Sequence, residues 1–289
     1  MLGTLLQDLR YGVRMLWKSP VVSAVAVLAL ALGIGANTAI FTVVNAVLLR
    51  PLPYKDSERL VALSEDSPQI PGMSVAYPDF QDWREQSRSF EQLVAYKRTS
   101  FNLTGTEEPE RLSGRTVSAN FFTTLGVNPA LGRNFADAED QPGGNRVVVL
   151  SDGLWQRRFG SDPSIVGKTI LLNNESYTVI GVLPRAFQFG RPTDVFVPLG
   201  LEADEMTARD NHPGIYVVGL LKPGVTVESA RTEMQGIASR LEQQYPETNS
   251  GTGVALVSLL EDTVGDIRPA LLVLLGAVGF VLLIACANV

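Results

Sequence analysis

Residues that carry most enzyme chemistry are scarce in this sequence. The 289 residues include one histidine, His212, and one cysteine, Cys286. One of each is a poor basis for a zinc site, which needs about three or four protein ligands held together, and a single cysteine excludes an internal disulfide. The Gly-x-Ser-x-Gly element of many hydrolases is also absent. We therefore expect no catalytic residue, no metal site and no cofactor site.

Charge is missing from two long stretches, one at each border of the chain. Ser19 to Leu49 holds 31 residues and Ala270 to Val289 holds 20, none of them charged. About 20 apolar residues are enough to cross a bilayer as a helix. The sequence therefore predicts a membrane-spanning helix in each stretch. Two alternatives stay open: a cleaved signal peptide for the first, although its apolar region is usually about 7 to 15 residues long, and a buried core helix for the second.

Basic residues precede the first apolar stretch. Arg10, Arg14 and Lys18 stand there against the single acid Asp8, and positive charge favours the cytoplasmic side of a membrane. We therefore expect a cytoplasmic N-terminus and an outer location for the region between the two stretches. Apolar residues at helical spacing over residues 2–17 predict an amphipathic helix on the inner membrane face, which would serve as an anchor or bind a partner.

Acidic residues predominate in the region between the two stretches. Beyond Arg50 the chain has 20 basic and 29 acidic residues, a net charge of −9. This balance argues against nucleic acid or an anionic lipid surface as the partner of that region.

The first apolar stretch also contains small and polar residues at informative positions. Ala31, Gly35 and Ala39 recur every four residues, and such a stripe lets another membrane helix approach closely. The sequence predicts helix packing along this stripe, although apolar helices contain many such residues by chance. Asn37 and Asn45 lie at or near membrane depth, where we expect them to hydrogen-bond a neighbouring helix.

The middle region shows one β-α-β pattern near each of its borders. The four strands are predicted at residues 59–64, 90–103, 215–221 and 254–259. A short helix beginning near Tyr77 joins the first two, and a longer helix, capped by Thr226 and ended by Pro246, joins the last two. Two such units predict one open α+β layer.

The region between these two units differs from them in composition, because it is rich in glycine and proline and its predicted strands are short. Strands are predicted at residues 147–150, 169–172, 177–182 and 195–197, and short helices at residues 118–125 and 151–159. Asn173-Asn174 predicts a hairpin turn between two of the strands. We therefore expect a β-rich subdomain, at residues 104–211, inserted into the α+β layer.

One short motif resembles a nucleotide site only weakly. Gly167-Lys168-Thr169 matches the end of a phosphate-binding loop, but the glycine required five residues earlier is Asp162 here. A carboxylate at that position would repel phosphate. The surrounding residues favour a hairpin, so we expect no ATPase activity from this chain.

Two further groups of polar residues are interpreted as ordinary surface. Asp137, Glu139 and Asp140 lie close together, but their spacing fits no calcium-binding loop, and we expect them on a solvated face. His212 precedes Pro213-Gly214 and is expected in a loop.

Several short motifs together resemble one protein family. They are Asp8-Leu9-Arg10-Tyr11-Gly12, Lys18-Ser19-Pro20, residues 32–41, Tyr77-Pro78-Asp79-Phe80, Val117-Ser118-Ala119-Asn120-Phe121-Phe122, Val166-Gly167-Lys168-Thr169, Val179-Ile180-Gly181-Val182 and residues 283–289. In these motifs, which are spread over nearly the whole chain, the sequence is similar to permeases of MacB/FtsX-type ABC transporters, above all to those common in acidobacteria.

The resemblance implies an α+β membrane protein with a defined order of parts. These are a cytoplasmic amphipathic helix at 1–18, a transmembrane helix at 19–49, a periplasmic porter-like α+β subdomain at 50–103 and 212–267, an inserted β-rich subdomain at 104–211 and the start of a second transmembrane helix at 268–289. It also implies a bacterial inner-membrane location, with residues of about 50–268 in the periplasm. Because members of the family continue into further spans, we expect this sequence to be the N-terminal part of a permease.

The function implied by the resemblance is export or mechanotransmission. A separate cytoplasmic ABC ATPase would drive a homodimer or heterodimer of permeases in the membrane lipid, and the periplasmic domain would expel or release the substrate. The alternative is a membrane-anchored extracytoplasmic binding or sensor module without ATP coupling. An anchored enzyme is disfavoured, because the sequence offers no set of nucleophile, base and acid.

Overall fold

The computed structural model describes residues 14, 17–18, 20–105, 108–265 and 267–288. The chain divides into two compact units. The helical unit comprises residues 1–50 and 264–289, and the sheet unit comprises residues 51–263. Arg10 and most of the predicted amphipathic helix lie outside the described residues.

Two long apolar helices form the helical unit. Helix α1 covers Pro20–Val44 and continues as a π-helix at Asn45–Leu49, and helix α8 covers Arg268–Asn288. Both are long and apolar enough to cross a membrane, and only 6% of the residues in the apolar window of each are buried. A core helix of a soluble protein would be mostly covered, so this exposure argues against the alternative of a buried core helix for the second stretch.

Ten strands form one sheet in the sheet unit. They are Leu60–Asp66 (β1), Phe90–Thr104 (β2), Glu110–Val117 (β3), Leu131–Gly132 (β4), Val147–Leu150 (β5), Thr169–Leu172 (β6), Glu175–Val182 (β7), Val195–Pro198 (β8), Ile215–Leu221 (β9) and Gly253–Ser258 (β10). Their order is β10-β1-β9-β2-β3-β8-β5-β7-β4, and β6 pairs with β2 and β7. Only the β3–β8 and β5–β7 pairs are parallel.

Helices of the sheet unit are mostly short. They are Tyr77–Gln86 (α2), Phe121–Thr124 (α3), Asp152–Phe159 (α4), Val227–Gln244 (α5), Pro246–Asn249 (α6) and Leu259–Val264 (α7). Four 3₁₀ turns accompany them, at Ser57–Arg59, Asp137–Glu139, Pro163–Ile165 and Leu199–Glu205. The predicted cap is confirmed, because the Thr226 hydroxyl accepts a hydrogen bond from the Ser229 N–H at 3.2 Å. The predicted end is also confirmed, because α5 stops at Gln244, before Pro246. Pro246 then begins the separate short helix α6, since proline fits the first turn of a helix.

The layer of α2 and α5 covers the first hydrophobic core. Ala230, Met234, Ile237, Ala238 and Leu241 recur at helical spacing along α5 and are all buried. They pack with Phe80 and Trp83 of α2 on the strands β1, β2, β9 and β10. Burying each large apolar side chain contributes about 1.5 to 3 kcal/mol, so this face explains why both β-α-β units close over one layer.

Two more cores involve the part of the sheet that sequence reasoning assigned to an insertion. One is rich in aromatic rings, including Phe121, Phe122 and Phe196, whose contacts are edge-on, and it also contains residues of β1, β2 and β9. The other packs α4 against β5, β6 and β7. The aromatic core is therefore shared between the middle of the chain and the border strands.

Most predicted strands are confirmed, and the hairpin at Asn173-Asn174 is confirmed in detail. Both residues adopt positive φ, 52° and 66°, as a two-residue type I′ turn requires, and β6 and β7 pair across them. Strand β3 is a difference, because it was not predicted. It pairs with β2 from Tyr96↔Val117 to Leu103↔Glu110, so the sheet continues through the predicted boundary at residue 104. The subdomain boundaries stay a prediction.

Candidate functional site

An interhelical hydrogen bond joins the two helices of the helical unit. The Asn37 amide nitrogen donates to the Gly33 carbonyl of its own helix and to the Val278 carbonyl of α8, both at 3.1 Å. A polar side chain in an apolar span needs such a partner, because lipid offers none. The prediction that Asn37 bonds a neighbouring helix is thereby confirmed, whereas Asn45 begins the π-helix.

Gly33 lies on the same face of α1 as Asn37 and provides the close approach. A Cβ atom at Gly33 would lie 3.2 Å from Leu282 Cδ1 and 3.7 Å from Ala285 Cβ. The predicted stripe of Ala31, Gly35 and Ala39 is exposed instead, and no atom lies within 4 Å of a Cβ built at Gly35. Packing between α1 and α8 therefore uses another face, and a role for the stripe in assembly stays a prediction.

The residues of the predicted orientation signal are only partly described. Arg14 and Lys18 are helical and exposed, and Arg10 lies outside the described residues. The opposite end of the span is marked by the π-helix, after which Arg50 adopts an extended conformation and its N–H donates to the Asn45 carbonyl at 3.0 Å. A π-helical turn often occurs at functional sites, and here it lies directly before the sheet unit in sequence.

Buried charge is concentrated where the two β-α-β units of the sheet unit meet. Asp79 of α2 is 2% exposed. It accepts hydrogen bonds from the Arg209 guanidinium and, at 2.9 Å, from the Asn249 amide. Arg209 also reaches Asp82 at 2.5 Å and lies 3.7 Å from the centroid of the Tyr245 ring. Arg209 thus links α2 to Tyr245, which lies between α5 and α6, and Asp79 links α2 to α6 through Asn249.

A second buried carboxylate continues this network. Glu65, at the end of β1 and 2% exposed, accepts from the Ala76 N–H at 2.8 Å and lies 2.7 Å from His212 Nε2. The prediction of a loop position for His212 is confirmed, but its partner was not foreseen. The other ring nitrogen faces the Asp210 carbonyl at 3.3 Å, where a Ser-His-Asp triad would place its carboxylate, so the arrangement differs from that triad.

The environment shifts the pKa of both carboxyl groups upward. Burial raises the pKa of Glu65, and the hydrogen bonds from Ala76 and His212 only partly offset it. Burial likewise raises the pKa of Asp79 against the lowering effect of Arg209 and Asn249. A cavity of about 10 Å³ touches Glu65, Asp79 and Asn249, which is room for about one water molecule. The network therefore fixes the segment that contains Arg209 and His212 to β1 and α2.

Glu139 and Asp140, which were predicted on a solvated face, instead accept hydrogen bonds from other parts of the sheet unit. Glu139 is 7% exposed and receives both terminal nitrogens of Arg133, at 2.8 and 2.6 Å. The hydrogen bonds from Arg133 are the main reason why the pKa of Glu139 is lowered. Asp140 accepts from the Ala119 N–H at 2.8 Å. The prediction was wrong for both, because spacing along the chain does not show which donors converge from elsewhere.

The motif Gly167-Lys168-Thr169 belongs to a hairpin, as predicted. Gly167 has a φ of 92°, and Thr169 begins β6 and pairs with Thr178. The Lys168 ammonium lies 3.0 Å from the Asp162 carboxylate, so the acid that replaces the required glycine neutralises the lysine. Among the residues that the structure describes, no group of three or more His, Cys, Asp or Glu could hold a metal ion.

Comparison with known proteins yields one family and several similar folds. The family model described as "MacB-like periplasmic core domain" matches residues 23–237. Comparison with curated proteins finds no match.

Three solved structures resemble the chain with TM-scores from 0.51 to 0.54. The extracellular domain of the noncanonic ABC-type transporter YknZ from Gram-positive bacteria is 17% identical, over 68% of this chain and 99% of that one, with a TM-score of 0.51. The periplasmic region of MacB from Actinobacillus actinomycetemcomitans is 15% identical, over 74% and 94%, with a TM-score of 0.54. A domain of a protein described as a permease from Porphyromonas gingivalis is 14% identical, over 71% and 93%, with a TM-score of 0.54. At these identities the likeness concerns the fold.

Proposed function

The chain belongs to the family with the MacB-like periplasmic core domain, found in permeases of ABC-type transporters, and from this we propose that it works as a permease subunit, or as the N-terminal part of one. In this proposal a separate cytoplasmic ATPase drives the helical unit, and the sheet unit converts that motion into the expulsion or release of a substrate. The observation that carries the proposal is the match over residues 23–237, which includes the first apolar helix and most of the sheet unit.

The connections of the sheet unit support a mechanical role. The chain leaves the π-helix at Leu49 and enters β1 at Leu60, while α8 follows shortly after β10. These two strands are neighbours, and the register pairs Val61 with Ser258. The strand ends closest in sequence to the two helices therefore lie opposite each other. Movement of either helix would be delivered to the same pair of strands.

The buried charge network supports transmission beyond that strand pair. Glu65 stands at the far end of β1 and is tied to His212, and Asp79 of α2 is tied to Arg209. Both partner side chains lie in the segment that returns from the middle of the chain to β9. A pull on β1 would thus reach that segment through these side-chain contacts.

The first experiment tests coupling to ATP hydrolysis. The complete reading frame is expressed with an ABC ATPase of the source organism, purified and reconstituted in lipid nanodiscs. We expect the ATPase to co-elute with the permease and its hydrolysis rate to change on assembly. Purification without any ATPase, together with a ligand that raises the melting temperature, would instead favour an anchored binding module.

The second experiment tests the proposed topology, with a cytoplasmic N-terminus and an outer sheet unit in a bacterial inner membrane. Cys286 is replaced by serine, and single cysteines are introduced as Gln141→Cys, an exposed position of the sheet unit, or as Gln7→Cys. A membrane-impermeant maleimide added to spheroplasts should label the first variant and not the second. Labelling of Gln7→Cys alone would reverse the orientation.

A further inference from the structure

A groove in the sheet unit is lined by residues outside the buried charge network. Its volume is about 400 Å³, within the range of small-molecule sites, which run from about 300 to 1,000 Å³. One wall is the loop between β7 and β8, and the other is the start of α4. Phe187, Phe189 and Phe196 supply the apolar part of the lining.

Two arginines at this groove have no counter-charge. Arg185 and Arg191 both line it and are exposed. Within the described part of the chain neither guanidinium has a hydrogen bond or an ion pair. This is unusual in a chain whose region beyond Arg50 carries a net charge of −9.

The acids of the lining are already occupied by other donors. Asp194 accepts from the Ser113 N–H and hydroxyl, both at 2.9 Å, and from Arg157 at 2.9 Å. Asp152 accepts from the Gln156 amide at 2.7 Å. Arg157 in turn also reaches Glu110. The Gln156 amide is neutral, so Asp152 keeps its negative charge. With Arg157, Arg185 and Arg191 against Asp152 and Asp194, the lining carries one net positive charge.

The loop that carries the two arginines is held in place from behind. Its backbone is fixed by the Tyr54 hydroxyl, which donates to the Gln188 carbonyl at 2.6 Å. The Ser113 N–H and hydroxyl hold Asp194 at the end of the loop. Arg115, 2% exposed, donates to the Phe189 carbonyl at 2.7 Å and to the Thr193 hydroxyl at 3.0 Å. A loop so fixed presents its free side chains over a preformed cleft, which limits the entropy lost on binding.

Arg115 also adds positive charge behind the groove. No carboxylate of the described residues pairs with it, and its guanidinium lies 5.3 Å from the Tyr96 ring and 5.0 Å from the Phe189 ring. Gly190, with a φ of 61°, brings the loop to this cation, because a Cβ there would lie 3.3 Å from the Arg115 guanidinium. Arg115 does not line the groove, so its charge acts from behind the Phe189 ring.

We propose that this groove binds a small amphiphilic anion, with its apolar body against Phe187, Phe189 and Phe196 and its carboxylate, sulfonate or phosphate between Arg185 and Arg191. Planar guanidinium groups pair with such anions through two parallel hydrogen bonds. The site is independent of ATP coupling, so its failure would leave the permease proposal untouched.

The test measures binding of two anionic probes to the full chain in phosphatidylcholine nanodiscs by titration calorimetry, with empty nanodiscs as the blank. 1-Naphthalenesulfonate represents an aryl anion and octanoate an acyl anion, and the tighter binder identifies which body fits the floor. 1-Naphthalenemethanol is the uncharged counterpart. We expect Arg185→Gln with Arg191→Gln to weaken binding of the preferred anion about tenfold and to leave the alcohol unaffected.

Two matched variants separate a site from a general effect of charge. Arg98→Gln with Arg146→Gln removes the same charge from exposed positions outside the groove and should leave binding unchanged. Arg185→Lys with Arg191→Lys keeps the charge but not the paired hydrogen bonds, so its affinity should lie between those of the natural chain and the Gln variant. The proposal is overturned if neither anion binds, if the Gln variant at the groove binds as the natural chain does, or if both Gln variants lose affinity equally.

Discussion

The two parts of the sheet unit bury charge in different ways. Beside the border strands, the buried groups are the acids Glu65 and Asp79, which face His212 and Arg209. The middle of the chain also buries an acid in an ion pair, Glu139 with Arg133, but its most deeply buried charge is the cation Arg115, which faces aromatic rings and neutral oxygens. Removing one member of a buried ion pair leaves an uncompensated charge, whereas removing Arg115 leaves none.

The two parts also differ in what their buried charges connect. The acid network ties together segments far apart in the chain, since Asp79 and Arg209 are separated by 130 positions and Glu65 and His212 by 147. Arg115 holds one neighbouring loop and stacks on rings that are part of the core. The segments joined by Asp79 and Glu65 can separate when one of these contacts breaks. Arg115, in contrast, is packed among the core rings around it.

Asp79→Ala should cause the largest loss of stability. It removes a carboxylate that is 2% exposed, leaves Asn249 without its acceptor and leaves Arg209 with Asp82 as its remaining carboxylate. Breaking a buried pair in this way costs about 3 to 5 kcal/mol. Chemical denaturation of the full chain in nanodiscs measures the change, with Asp82→Ala, the more exposed partner of the same arginine, as the control. Equal effects of the two variants would show that burial does not distinguish them.

Arg115→Met should cost less, about 1 to 3 kcal/mol. It leaves the Phe189 carbonyl and the Thr193 hydroxyl without their donors but keeps an apolar stem among the rings. Burial lowers the pKa of Arg115 to about 10, so the natural side chain is still charged at neutral pH. The same denaturation experiment checks the prediction, and a loss larger than that of Asp79→Ala would reverse the contrast between the two parts.

Glu65→Gln should change the pH dependence of stability. Because burial raises the pKa of Glu65 above its ordinary value of 4.5, the folded chain holds this proton more tightly than the unfolded chain. The resulting stability is present below about pH 4.5 and is lost as the pH rises through the folded-state pKa. Glutamine cannot titrate, so this part of the decline should disappear in the variant.

Melting temperatures of the natural chain and Glu65→Gln, measured between pH 4.5 and 7.5, provide the check. The difference between the two should grow in favour of the variant as the pH rises. Glu175→Gln, which alters an exposed acid, serves as the control and should run parallel to the natural chain. Parallel curves for Glu65→Gln as well would mean that Glu65 does not titrate differently on folding.

Local features of the sheet unit were predictable from the sequence, and long-range ones were not. Alternating apolar residues and turn residues located β5, β6 and β9 at their observed bounds, and Asn173-Asn174 identified its turn. Strand β3 escaped because Gly114 and Arg115 interrupt its pattern, although Arg115 is buried there. The partners of Glu65 and Asp79 come from the other end of the chain, and spacing within one segment carries no information about them.

The helical unit shows the same limit on a smaller scale. The sequence indicated two apolar helices and a bond from Asn37, but the stripe it singled out for packing is not the face that meets α8. Both faces carry a glycine, and composition alone does not distinguish Gly33 from Gly35. The difference arises from which residues of α8 stand opposite, such as Leu282.

Gly35→Leu and Gly33→Leu test the two faces of α1 one at a time. Of the predictions made here, these have the smallest expected effects. No atom lies within 4 Å of a Cβ at Gly35, so the larger side chain should leave the α1–α8 pair intact. If the stripe packs against a second subunit, the variant should shift the chain toward the monomer in detergent, as measured by light scattering.

Gly33→Leu should disturb the α1–α8 pair within one chain, because Leu282 is already close. Interhelical contacts in membranes contribute about 0.6 kcal/mol each on average, so a partial shift is expected. An unchanged mass for Gly35→Leu would remove the stripe from the assembly interface and leave Gly33 as the glycine that packs.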